Sequence, residues 1–116
     1  MDLRKVYAEC GGDYEDVIGR LITEERVERF VKKFADSTDY DMLMEAVAQN
    51  DHEGIFRYSH NLKGLSLNLS FTELQKSSSE LCELFRNGAP TEDYSEVLER
   101  VTRDRKRVVD AIRSNE

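Results

Sequence analysis

The stretch "FRYSHNLKGLSLNLS", residues 56 to 70, decides the fold. Its apolar residues recur at the three-and-four spacing of an amphipathic helix and lack the alternation of a half-buried strand. At about 100° per residue, such a helix gathers Ile55, Tyr58, Leu62, Leu65 and Leu69 on one side as a core stripe. His60 falls on the opposite side, among Glu53, Phe56, Arg57, Lys63, Gly64 and Leu67. The imidazole is therefore expected to face solvent, with a cation and a helix-weakening glycine within one turn of it.

Outward from this helix the pattern repeats. Leu3, Val6, Tyr7 and Cys10 predict a short helix ended by Gly11-Gly12, and Asp13 caps a second bearing Val17, Ile18 and Leu21. Thr23, followed by Glu24 and Glu25, starts a third with Val27, Phe30, Val31 and Phe34 at helical spacing. After "ADSTDYD", the residues Met42, Leu43, Ala46 and Val47 predict a short helix ending near Asn50, and the motif helix starts at about residue 52. Ser70 and Glu73 have capping-box spacing, and Leu69 and Leu74 that of a hydrophobic staple, so a new helix is expected to begin at Ser70. It carries Leu74, Ser78, Leu81, Cys82 and Phe85 to the turn "RNGAPT", where Thr91 is the candidate cap of a last helix. That helix runs to near Arg113 with Tyr94, Val97, Leu98, Val101, Val108 and Ile112 inward. Short connections between such helices predict an all-α fold, an antiparallel up-and-down four-helix bundle. The expected organisation is a single domain over 1–116, with short N-terminal helices in 1–22 and the bundle in 23–114.

Composition agrees with that class and narrows the function. Hydrophobic residues make 39% and charged residues 35%, with one proline and six glycines, as a helical globular domain requires. A chain of 116 residues has a modest core and no room for separate cofactor and substrate domains. No segment approaches the roughly eighteen apolar residues of a membrane span, and "MDLRKVYAECGGDYEDV" lacks the apolar run of a signal peptide. A cytoplasmic protein with no membrane partner is expected. The net charge of −7 opposes binding to a polyphosphate backbone, so nucleic acid is not expected as a partner. The basic run "RDRKR" at 103–107 reads as a solvated helix face, with Glu99 and Arg103 spaced for an ion pair. Cys10 and Cys82 have no CxxC or histidine company and read as reduced thiols, so no metal site is expected on this chain. His52, isolated near a helix start, reads as a surface residue.

The face around His60 has a coherent chemistry. Imidazoles titrate close to neutrality, so an exposed ring retains a free nitrogen able to attack phosphorus. Lys63, at i+3, is placed to offset charge on phosphoryl oxygens, and Arg57, at i−3, to do so less directly. Gly64, at i+4, costs roughly 1 kcal/mol of helix propensity relative to alanine; in return it leaves room for another protein's active site to close over the ring. Phe56 and Leu67 read either as an apolar docking rim or as packing against a flanking helix. No nucleotide-binding loop accompanies them, so the chemistry is expected to be shared with partners.

The segment "HNLKG" at 60–64, with Asn68-Leu69 and Leu74 downstream, resembles the HxLKG signature of histidine phosphotransfer (HPt) domains, and the resemblance extends over nearly the whole chain. It implies that His60 is the phosphoacceptor, Lys63 a phosphoryl-stabilising cation and Gly64 the access residue in a two-component phosphorelay. It further implies a phosphocarrier rather than an enzyme. Its partners would be a sensor histidine kinase and response-regulator receiver domains, and the magnesium ion would be held by the receiver and no cofactor by this chain. A free-standing monomer is expected. A non-catalytic helical adaptor, or the phosphoacceptor module of a chemotaxis-type kinase, are the alternatives. Two positions depart from the family pattern: Leu67 stands where a small residue is frequent, and Ser70 where glycine is frequent.

Overall fold

A computed structural model describes residues 1–116. It contains seven helices and no strand: α1 (Leu3–Cys10), α2 (Tyr14–Leu21), α3 (Glu24–Ala35), α4 (Asp39–Ala48), α5 (His52–Asn68), α6 (Thr72–Leu84) and α7 (Ser95–Ser114). The early boundaries follow side-chain chemistry. Asp2, Asp13, Thr23 and Asp51 each accept a hydrogen bond from a first-turn amide, and Gly11 ends α1 in the left-handed conformation at φ 70°. Helix α4 begins inside the polar interval, at Asp39, rather than at Met42.

One cluster of buried apolar side chains draws on every helix. Helix α5 lies between α4 and α6 and packs most extensively on α6, while α7 touches α6, α1 and α3. The buried face of α5 is Ile55, Ser59, Leu62, Ser66 and Leu69; Tyr58 and Leu65, assigned to the core stripe from the sequence, are only half-buried. On the helical wheel this turns the core face by about 40° toward the side that carries Phe56 and Lys63. The serines account for the shift. Their hydroxyls donate to carbonyls one turn back, Ser59 to Ile55 at 2.7 Å and Ser66 to Leu62 at 2.6 Å. With its polar group satisfied, each packs as a small core residue. Ser78 in α6 does the same with the Leu74 carbonyl at 2.6 Å.

The turn between α5 and α6 departs from the sequence-based expectation. Helix α6 starts at Thr72, and its N-cap position, Phe71, makes no side-chain capping bond, so Ser70 and Glu73 form no capping box. Ser70 instead terminates α5: it adopts φ 56°, its amide donates to the Leu67 carbonyl, and the Phe71 amide donates to the Ser66 carbonyl. This pair of bonds is a Schellman ending, which glycine adopts at lower cost than serine. The Ser70 hydroxyl is held in compensation, donating to Asp16 Oδ2 at 2.6 Å and accepting from Arg20 at 2.9 Å. Arg20 also donates to the Leu67 and Asn68 carbonyls, each at 3.0 Å, adding a side-chain donor to the end of the helix.

The N-terminal helices therefore clamp the end of α5. Tyr7 donates from its phenol to the Leu69 carbonyl at 2.7 Å and packs its ring 5.3 Å from that of the buried Phe71. Burial pushes the Tyr7 phenol well above its ordinary pKa. Backbone bonds complete the clamp, from Asp13 to Ser70 and from Glu73 to Gly11. Glu73 thus finds its amide partner across the fold rather than at Ser70.

Helix α7 also starts later than expected. Thr91 is exposed and outside the helix, and Asp93 accepts from the Ser95 amide at 2.9 Å. Within it Val101, Val108 and Ile112 are buried as expected, whereas Tyr94, Val97 and Leu98 are half-buried. The Glu99–Arg103 pair is not formed: Arg103 meets Asp104 at 3.5 Å, Lys106 pairs with Asp110, Arg105 lies over Tyr40 and Arg107 donates to the Glu9 carbonyl. Each of these four cations of the basic run thus has a partner inside the chain. No helix is long and apolar enough to cross a membrane.

The clamp makes a pH-dependent prediction. The Ser70 hydroxyl, aided by Arg20, holds the Asp16 carboxyl below its ordinary value of 3.8. A carboxyl lowered on folding stabilises the fold above its unfolded pKa and loses that contribution as pH falls through the folded one. Urea titrations should find Asp16→Ala less stable than the parent at neutral pH, with the gap closing as pH drops below 3.8. A gap that persists unchanged in acid would assign it to something other than the charge.

Candidate functional site

His60 is exposed on the outward ridge of α5, on the side away from the core. Helix periodicity alone brings Lys63 and Gly64 beside it, since residues three and four apart share a face. Phe56, one turn earlier, stacks on the imidazole with centroids 6.0 Å apart and planes at 24°. From α6, the fully buried Cys82 places its Sγ 3.9 Å from His60 Nδ1. The ring is thus held on one side by an aromatic face and at one nitrogen by a thiol. From α4, Asp39 accepts from the Asn61 amide at 3.1 Å, and an open cleft lined by Asp39, His60, Asn61, Gly64 and Leu65 runs alongside the ring.

Two glycines of α5 have opposite surroundings. A Cβ at Gly54 would come within 2.5 Å of Asp51 Oδ2 and 3.0 Å of the Ala46 Cβ, so α4 and the N-cap require that glycine. A Cβ at Gly64 would meet nothing within 4 Å. No packing within the chain accounts for Gly64, and the space it leaves lies beside the imidazole.

The charges around the ring are unequal in freedom. Arg86, in the turn after α6, hydrogen-bonds to Glu83 through Nε and Nη2, and its guanidinium lies 5.7 Å from the Phe56 ring. The Arg86 bonds, with a lesser contribution from Lys63, hold the Glu83 carboxyl below the usual carboxylate range. Lys63 itself is half-buried and forms no ion pair within 4.0 Å, leaving its ammonium available to an incoming anion. Arg57 turns its guanidinium over Tyr58, 5.7 Å from that ring and on the far side of the helix from His60.

Residues 25–114 match the family described as Hpt domain. The chain belongs to the Hpt domain family. No curated protein and no solved structure matches it. Hpt domains are phosphocarriers of phosphorelays, which bears on every residue of the exposed face.

Within this Hpt domain the structure brings His60, Lys63, Gly64 and Phe56 together. Leu67, left between two faces by the sequence, is 53% exposed and lies outside the packed core cluster. His52 is exposed at the first position of α5, eight residues before His60, with its ring 6.0 Å from that of Phe85. The contact that sequence reading missed is Cys82, which is 22 positions from His60 and carried no motif of its own. No group of three or more His, Cys, Asp or Glu side chains is placed to hold a metal ion.

If Gly64 serves access rather than packing, Gly64→Ala should gain the propensity that glycine forfeits. Urea unfolding is expected to show a stabilisation of about 1 kcal/mol, accompanied by slower phosphoryl exchange with a receiver. Lost stability in this variant would reveal a structural duty that the open surroundings do not show.

Proposed function

We propose that this chain is a histidine phosphotransfer protein in which His60 receives a phosphoryl group from a receiver-domain aspartate or a sensor kinase and passes it to another receiver aspartate. The observation that carries the reading is the coincidence, on one exposed face, of an imidazole, an unpaired ammonium and an empty space that packing does not explain. In-line attack needs an approach path along which the partner's carboxyl phosphate can close on the ring, and Gly64 leaves one open. Lys63 offsets charge as it gathers on the equatorial phosphoryl oxygens. Magnesium, on this reading, belongs to the acidic pocket of the receiver, and this chain contributes no cofactor.

Leu67 supplies an apolar rim for docking, its exposure favouring that role over internal packing, and Phe56, half-buried and packed against the core, borders that rim. Arg57 is a rim cation at most, given its turn toward Tyr58. The reading takes 1–116 as one domain, with α1 and α2 as an N-terminal clamp and the later helices as an antiparallel up-and-down bundle. Contacts of α5 with α4 and α6, and of α6 with α7, support that arrangement. It also takes the protein to act as a monomer in the cytoplasm.

Incubation with a receiver carrying labelled phosphoryl should move the label to His60 as an acid-labile, base-stable phosphoramidate, and His60→Gln should receive none. Label on the glutamine variant would end the assignment. Lys63→Ala should fold normally and accept label more slowly by roughly tenfold or more, the scale of one charge-assisted hydrogen bond. An unchanged rate would remove Lys63 from the phosphoryl site.

A further inference from the structure

Cys82 is the one protein group in polar contact with the His60 ring. It projects from α6, is fully buried, and its sulfur has His60 Nδ1 as its partner at 3.9 Å, within range for a sulfur hydrogen bond. Nε2 makes no hydrogen bond within the chain. A neutral imidazole carries its proton on only one nitrogen, and the group bonded to the other nitrogen decides which. The thiol is both a weak donor and a weak acceptor, so it can serve either tautomer; only Nδ1–H donating to the sulfur leaves the lone pair on Nε2, the nitrogen with no partner within the chain. Phe56, stacked at 24°, restrains the ring plane, and within that plane the flip state seen here is the one that turns Nδ1 toward the thiol.

We propose that Cys82 is a positioning residue for phosphoryl transfer: by accepting from Nδ1–H it holds the neutral His60 ring in the tautomer that places the free lone pair on Nε2. The inference rests on the phosphotransfer reading above and adds to it the residue that prepares the nucleophile. During transfer the Nε2 lone pair forms the N–P bond while the P–O bond to the receiver aspartate breaks, and the aspartate leaves as a carboxylate. The ring proton stays on Nδ1, against the sulfur, so no base is needed to remove it.

Charged groups near the ring are Lys63 on α5, Glu83 on α6, Arg86 in the turn after it and Asp39 on α4. None of these is found in contact with Nδ1. The cysteine is therefore the group whose removal should change the tautomer without changing the local charge.

The test is long-range proton–nitrogen NMR of the whole chain labelled with 15N-histidine, at a pH where His60 is neutral, beside transfer rates from a phosphorylated receiver. The parent should show a protonated Nδ1 and an unprotonated Nε2. Cys82→Ala should lower the Nδ1–H to Nε2–H ratio about fivefold, the scale of one net hydrogen bond, and slow acceptance by the smaller factor by which the Nδ1–H population falls. Cys82→Ser, whose shorter hydroxyl lies too far from Nδ1 to accept and can turn back to the Ser78 carbonyl, should lose both as well. Circular dichroism checks that the variants remain helical, and the parent spectrum alone decides the first point even if a variant does not fold. A parent ring protonated at Nε2, or a tautomer unmoved by Cys82→Ala, would overturn the proposal. A parent with Nδ1 protonated that accepts no phosphoryl group from any receiver would instead overturn the phosphotransfer reading and leave the tautomer assignment standing.

Discussion

The close approach of α5 and α6 is the constraint on which the site depends. An imidazole on an outward ridge would ordinarily be held by nothing but its own helix. Here Ser59 and Ser66 lie on the buried face of α5, and their hydroxyls are consumed by carbonyls one turn back. Small side chains with no unsatisfied polar group suit a closely packed face, and α6, which packs extensively on α5, brings a fully buried residue, Cys82, to the rim of the His60 ring.

A second constraint acts at the far end of the same helix. Helix α5 ends in a left-handed serine, a conformation that carries a steric cost for any side chain. That cost is offset by the Ser70 hydroxyl, by Arg20 on the terminal carbonyls and by Tyr7 on the Leu69 carbonyl. Helices α1 and α2 thus do more than cover the core. They fix where α5 stops and α6 turns back, and so help to set the register in which position 82 faces position 60.

Much of this was legible in the sequence because it is local. The stripe of α6, the caps at Asp13 and Thr23 and the outward placement of His60, Lys63 and Gly64 all follow from residue spacing within a few turns. The errors arose where one local pattern has two meanings. Ser70-x-x-Glu73 has the spacing of a capping box, yet a serine in that place can equally end the preceding helix, and the choice is made by Asp16 and Arg20, about fifty residues away. Tyr58 and Leu65 were placed in the core because a wheel counts serine as polar, whereas Ser59 and Ser66 hide their hydroxyls in the helix itself. Cys82 had no signal at all, since its importance lies in one contact across two helices.

The central claim is that His60 takes up phosphorus at a nitrogen prepared by the fold, and the most direct measurement is phosphorus–nitrogen correlation NMR on the 15N-histidine-labelled chain after exposure to a phosphorylated receiver. The account predicts a bond from phosphorus to Nε2 of His60, with Nδ1 still protonated. Phosphorus on Nδ1, on His52, or on no histidine of the chain would contradict it.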